Sequence, residues 1–213
     1  MSERRLPVYL VLDTSGSMSG DPIESVKQGV RALLADLKSD PRAIETAFLS
    51  VITFNSTAQQ IRPLIELSLF REPNLIASGS TAFGEALEVL TECVEREVKK
   101  TTQKQKGDWK PLIFIMSDGQ PSDEWRQPAE NMKQKKIGNI IALAAGTSAD
   151  AEMLKHVADT VLSMGDMSPG QIQAFFKWVS ASIKTTSQSV AQIMLEGSPI
   201  NLPAPPPGIQ IIP

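Results

Sequence analysis

The chain has 213 residues, with 21 Lys plus Arg against 24 Asp plus Glu and a single cysteine, Cys93. That length suits one α/β domain with a full core, and a net charge of -3 gives no electrostatic case for nucleic acid as the main partner. One cysteine forms no internal disulfide, which fits a reducing compartment, and no apolar run approaches the roughly 20 residues of a membrane span.

The N-terminal MSERRLPVYLVLD carries two arginines but only a short apolar run and no small-residue cleavage site. No signal peptide is expected, and the protein is read as soluble and cytoplasmic. Val8 to Leu12 is continuously apolar rather than alternating, the pattern of a central parallel strand covered by helices on both faces. Asp13 stands at its carboxyl end, where open α/β sheets bind ligands. Ser15 and Ser17 follow two residues apart, so an extended loop would project both hydroxyls to the side of Asp13.

Asp21-Pro22 opens a helix whose Ile23, Val26, Val30, Leu33, Leu34 and Leu37 recur at helical spacing, and Asp40-Pro41 should end it. Ala47 to Phe54 reads as a strand. Gln59 to Leu67 is a weaker one, placed at an edge by Pro63 and joined to its predecessor as an antiparallel hairpin. The loop Ser78-Gly79-Ser80-Thr81 leads into a helix with Phe83, Ala86, Leu87, Leu90 and Val94 on one face. Cys93 falls in this helix and reads as a small buried hydrophobe.

Lys99 to Lys110 is basic and without period, and reads as a solvated helix end and loop in preference to a nucleic-acid or anion patch. Pro111 to Ser117 is a second continuous apolar run, ending in Asp118. A helix from Glu124 to Lys136, a strand from Asn139 to Ala145, a helix near Ala149 to His156, a strand from Thr160 to Ser163 and a helix from Pro169 to Thr186 follow. His156 has no Cys or His partner for zinc and reads as a surface residue. Asp123 and Glu124 read as acids in the first turn of their own helix. From Ser187 the chain turns proline-rich, so the expected organisation is a domain over 1–186 and a tail over 187–213, whose terminal Ile209, Ile211 and Ile212 could add a strand to something.

Strands alternating with helices give an α/β fold, a Rossmann-like, doubly wound, mainly parallel sheet with one antiparallel edge strand and helices on both faces. The strands ending at Asp13 and Asp118 should lie side by side, with Thr81 at a neighbouring helix start. Two carboxylates and three hydroxyls make part of a shell for a hard cation, since Mg2+ takes about six oxygens at roughly 2.1 Å. A coordination position then remains for an external carboxylate.

These residues resemble the von Willebrand factor A domain family, whose metal-ion-dependent adhesion site has the pattern Asp-x-Ser-x-Ser with a separate Thr and a separate Asp. The matching positions are Asp13, Ser15, Ser17, Thr81 and Asp118, and the resemblance spans Leu6 to Thr186. The stretches LVLDTSGSM, VITF, GSTAFGEAL and IMSDGQPSDEW look most like the bacterial TerY-like branch associated with tellurium resistance. The resemblance implies a noncatalytic module that binds Mg2+ or Mn2+ and, through it, an Asp or Glu of a protein partner. It further implies a kinase, phosphatase or other tellurium-resistance protein as that partner. The rival reading is a haloacid-dehalogenase-like phosphatase or phosphotransferase, which also places an aspartate after its first strand. It needs a second carboxylate two residues on, where this chain has Ser15, and a hydroxyl does not transfer protons near neutral pH. Neither GxGxxG after the first strand nor GxxxxGK[ST] is present.

Overall fold

The computed structural model describes residues 4–190 and 202–213. Among the described residues seven strands form one sheet in the order β3-β2-β1-β4-β5-β6-β7. They are β1 (Leu6–Asp13), β2 (Ala47–Phe54), β3 (Ala58–Glu66), β4 (Leu112–Ser117), β5 (Asn139–Ala145), β6 (Thr160–Met164) and β7 (Ile209–Ile212). The helices are α1 (Asp21–Lys38), α2 (Pro41–Thr46), α3 (Phe83–Glu97), α4 (Arg126–Lys135), α5 (Ala151–Lys155) and α6 (Pro169–Val190). β1, β2, β4, β5 and β6 run parallel.

Every residue of β1 is buried, and its alternate side chains feed two separate cores. Leu6, Val8, Leu10 and Leu12 pack with the apolar faces of α1 and α6. Tyr9 and Val11 pack on the other side with those of α3, α4 and α5. A strand covered on both faces has no solvent side to mark, so its sequence shows no alternation. Gly29 lets α1 and α6 approach closely, because a Cβ there would stand 2.2 Å from the Phe176 ring.

The structure departs from the expected elements in three places. Asp40-Pro41 does not only end α1 but starts α2: the Asp40 carboxylate accepts the Ala43 amide at 2.9 Å, and Pro41 occupies the first helical position. An Asp-Pro pair is a start signal as well as a stop. Second, α6 runs through the expected boundary at Thr186 to Val190, with Ser187 buried against Thr46 at 3.2 Å.

Third, the tail rejoins the sheet. The prolines at 203 and 205–207 stay free of regular structure, but the Pro203 carbonyl accepts the Trp178 indole N–H at 2.9 Å. β7 then pairs antiparallel with β6, placing Ile209 opposite Met164. The expected single antiparallel edge at β3, which carries Pro63, is therefore matched by a second at β7. The expected division at 186/187 is corrected accordingly: the described part of the tail belongs to the domain, and the remainder, 191–201, lies outside the described residues.

Candidate metal site

The sheet builds this site by splitting the chain's path. From β1 the chain moves to β2 on one side, while β4 lies on the other, so the loops leaving β1 and β4 diverge and open a crevice between them. β1 and β4 pair in register up to Leu12 opposite Met116, which brings Asp13 and Asp118 to the same level.

Beyond Asp13 the chain does not stay extended as expected. Ser15 is extended, and Gly16–Met18 close a 3-10 turn. The hydroxyls converge nonetheless, with Ser15 Oγ 3.0 Å from Ser17 Oγ. Ser17 Oγ donates to Asp118 Oδ1 at 2.9 Å, and the Ser15 amide donates to Asp13 Oδ1 at 2.8 Å. Four of the five expected residues thus form one hydrogen-bonded string across the two loops.

Thr81 comes from a third loop and joins the string only by proximity. Ser122 holds its backbone from both sides: Ser122 Oγ accepts the Thr81 amide at 3.0 Å, and the Ser122 amide donates to the Thr81 carbonyl at 2.9 Å. Thr81 Oγ1 would lie 3.8 Å from a Cβ built on Gly119, which sets it beside the residue after Asp118. Gly79, with φ +76, lets the loop carrying Thr81 pass close to Ser56, since a Cβ there would meet Ser56 Oγ at 2.2 Å. Its carbonyl accepts the Gly16 amide at 2.9 Å.

Both carboxylates are nearly sealed, Asp13 at 1% and Asp118 at 5% exposure. Burial pushes the Asp13 carboxyl above the ordinary range; hydrogen bonds from Ser15 and Ser117 pull it part of the way back, and the like charge of Asp118 pushes it further up. Burial likewise raises Asp118, with the Ser17 hydroxyl as the main counterweight. Among the described residues neither carboxylate has a cationic ion-pair partner. Two buried like charges without a protein cation, ringed by oxygen donors, fit a bound hard dication, which would remove the repulsion. No group of three or more His, Cys, Asp or Glu able to hold a metal exists among the described residues. A cation here would draw on the hydroxyls of Ser15, Ser17 and Thr81 as well as on Asp13 and Asp118.

Sequence reasoning missed the supports. Ser117 Oγ donates to Asp13 Oδ2 at 2.8 Å, and its signal was a hydroxyl ending a fully apolar strand, where a buried polar group needs a partner. Asp123 was expected in the first turn of its own helix, but it caps α3 instead, accepting the Gly84 and Glu85 amides at 3.0 Å each. Glu124 does serve α4, accepting from Arg126 and Gln127. Because Asp123 and Ser122 both reach back to the start of α3, the loops carrying Thr81 and Asp118 are fastened together. His156 is exposed and lies beside Trp125, 5.9 Å between ring centroids.

An open, doubly wound sheet whose switch point gathers hydroxyls and carboxylates from three loops defines a Rossmann-like α/β domain with a ligand crevice at its carboxyl edge. Residues 8–167 match the von Willebrand factor type A domain, and the chain belongs to that family. It is 28% identical over 217 residues to an uncharacterized protein of Synechocystis sp., which covers 92% of this chain and 46% of the relative. Its fold is similar to a von Willebrand factor type A structure from Catenulispora acidiphila, at a TM-score of 0.66 and 16% identity over 85% of this chain and 43% of that one. It is also similar to proximal thread matrix protein 1 of the mussel byssus, solved with a zinc occupied MIDAS motif, at a TM-score of 0.59 and 16% identity over 85% of this chain and 48% of that one. The chain spans less than half the length of the curated relatives it matches. Among the described residues no helix is long and apolar enough to cross a membrane.

Proposed function

We propose that this domain is a noncatalytic protein-interaction module in which Mg2+ or Mn2+, held by Asp13, Ser15, Ser17, Thr81 and Asp118, binds an Asp or Glu of a protein partner. The observation that carries this reading is the pair of buried carboxylates that no cation among the described residues neutralises. With only two carboxylates among the donors, a bound dication keeps part of its charge for an incoming anion. The zinc in the mussel protein's motif supports a divalent ion in such a site. The all-oxygen donor set favours the harder Mg2+ or Mn2+ over zinc, which prefers nitrogen and sulfur.

The TerY-like stretches support a finer reading: a cytoplasmic bacterial protein of the tellurite or stress response, whose partner is a kinase, a phosphatase or another protein of that response. The phosphatase reading of this chain itself lacks its acid/base, because Ser15 occupies that place and is spent on Asp13 and Ser17.

Calorimetric titration of Mg2+ and Mn2+ into wild type, Asp13→Ala, Asp118→Ala and Asp123→Ala tests the site. The first two substitutions should abolish or strongly weaken binding and the third much less; equal binding in all four removes the site. A pulldown from native extract, in Mg2+ against EDTA and with Asp13→Ala as control, tests the partner. Phosphate release from phosphoesters that Asp13→Asn abolishes would replace this reading with the phosphatase.

A further inference from the structure

The basic stretch from Lys99 to Lys110 does not stand alone in the folded chain. It connects the end of α3 to the start of β4, at the amino ends of the strands and so at the pole opposite Asp13 and Asp118. The end of α4 arrives at the same pole. There Lys135 and Lys136 join Lys100 and Lys110 around one cavity of about 220 Å³, whose walls include the apolar side chains of Val98 and Ile137.

Two carboxylates also border this cavity, and both are already matched. Asp108 is held by the Arg5 guanidinium through two contacts, one of them at 2.8 Å, and Glu95 pairs with Lys135 at 2.9 Å. Among the described residues, Lys100, Lys110 and Lys136 form no ion pair. In a chain of net charge -3, this is a local excess of positive charge.

Complementing a helix's negative end accounts for Lys133 and Lys135 in the last turn of α4. It does not account for Lys110, which lies just ahead of β4. Nor does it account for the backbone of Lys136, at φ 48 and ψ 48. Among the described residues Lys136 is the only non-glycine with positive φ. It fills a left-handed helix cap most often given to glycine, and a strained residue kept against that preference points to use of its side chain.

We propose that this cavity is a second binding surface that takes an acidic polypeptide segment, with Asp or Glu side chains on Lys100, Lys110 and Lys136 and an apolar side chain against Val98 and Ile137. Carboxylates suit it better than a nucleic acid. The local arginines are engaged, Arg5 by Asp108 and Arg4 by Trp109, over whose ring its guanidinium lies at 3.6 Å. Arg4 already takes one face of Trp109, and the ring packs in part against the core, which leaves little for a base to stack on, and the lysines that remain act as point charges rather than forks for phosphate. A lipid surface is disfavoured because none of the large exposed hydrophobic residues, Ile44, Leu69, Ile76 and Ile211, belongs to this cavity.

The test is run in EDTA, so that its outcome does not depend on the metal site. A fluorescein-labelled dodecapeptide of glutamate with a leucine at every third position should bind the full chain in an anisotropy titration, and binding should weaken steeply with added salt. The double substitution Lys110→Glu with Lys136→Glu should reduce affinity roughly tenfold or more. Lys136→Gly separates charge from fold: its melting temperature should hold or rise, since glycine adopts the left-handed cap without strain, while affinity falls about two- to threefold. The proposal is overturned if the peptide does not bind, or if the double variant binds it as wild type does. It is equally overturned if single-stranded oligo-dT, or vesicles of equal phosphatidylcholine and phosphatidylserine, bind more tightly than the peptide.

Discussion

Gly84 joins the fold to the site, and Gly84→Ala is the sharpest test of that junction. A Cβ there would stand 2.0 Å from the Glu124 carbonyl oxygen and 2.8 Å from its carbon. Both are backbone atoms, so the contact cannot be relieved by a rotamer change. Alanine brings better helix propensity, worth at most about 1 kcal/mol and less in a first turn. Against this, the segment after Asp118 must retreat by roughly an ångström or more to restore ordinary contact, an overpacking cost of about 1–3 kcal/mol. The retreat also draws Asp123 away from the Gly84 and Glu85 amides, each now at 3.0 Å, and losing a helix cap costs about 0.5–2 kcal/mol. The clash and the lost cap outweigh the propensity gain, leaving a net loss of about 2 kcal/mol. For a chain of this size that lowers the melting temperature in EDTA by roughly 4–8 °C. Because Ser122 and Asp118 move with the segment, the affinity for Mg2+ or Mn2+ should fall about tenfold, the effect of disturbing supports around a metal ligand. Gly29→Ala is the control: its Cβ would strike the Phe176 ring at 2.2 Å, far from the three loops, so it should lower the melting temperature and leave metal affinity unchanged. If Gly84→Ala leaves both quantities at wild-type values, or if Gly29→Ala weakens metal binding equally, the reasoning fails.

Three further outcomes are expected. Asp13 and Asp118 have folded-state pKa values raised by burial, so their contribution to stability is complete below the unfolded value of about 4 and is lost as pH rises through the raised values. The melting temperature in EDTA should fall across that window while the gain from Mg2+ grows; a gain independent of pH between roughly 4 and 7 contradicts the assignment. Asp118→Asn removes one of the two like charges and should raise the melting temperature in EDTA at neutral pH while eliminating the Mg2+ gain in the same thermal scan. Ending the chain after Val190 strips β6 of β7, removes the buried Ile209 and frees the Trp178 indole from Pro203. Lower melting temperature, red-shifted tryptophan emission and aggregation through the bared edge should follow, and a truncated protein as stable and soluble as the full chain would show that the tail contributes nothing.

The site was legible because each ligand candidate sits where a strong pattern stops. Asp13 and Asp118 follow uninterrupted apolar runs, so the adjacency of β1 and β4 brought them together, while Thr81, ahead of a clear helical stripe, arrives on a third loop that Ser122 holds. What escaped notice depends on partners distant in sequence. Asp123 reads as a local helix acid until α3 is placed against it, and nothing near residue 123 announces a cap for residues 84 and 85. β7 was half legible: Ile209, Ile211 and Ile212 suggest a strand that adds to something, but four residues behind a proline run carry too little period to name its neighbour, and only the open edge of β6 supplies one. The lysines at 100, 110, 135 and 136 likewise acquire a common meaning only when the ends of α3 and α4 meet the start of β4 at one pole.

The backbone hydrogen bonds that stitch the three loops carry a consequence for their kinetics. The Thr14 amide donates to Phe54 at the end of β2, and Gly16 to Gly79, Ser78 to Thr14, Ala82 to Asn55 and Ser122 to Thr81, these four each from one connection to another. Surface connections are ordinarily the first parts of a protein to open, but here no strand of the knot comes loose without its neighbours. The crevice behaves as a macrocycle closed by amides. Its backbone deuterium uptake should be as slow as that of the central strands even with every metal chelated, and side chains at the rim are therefore exchangeable for other chemistry on a frame that holds its shape by itself.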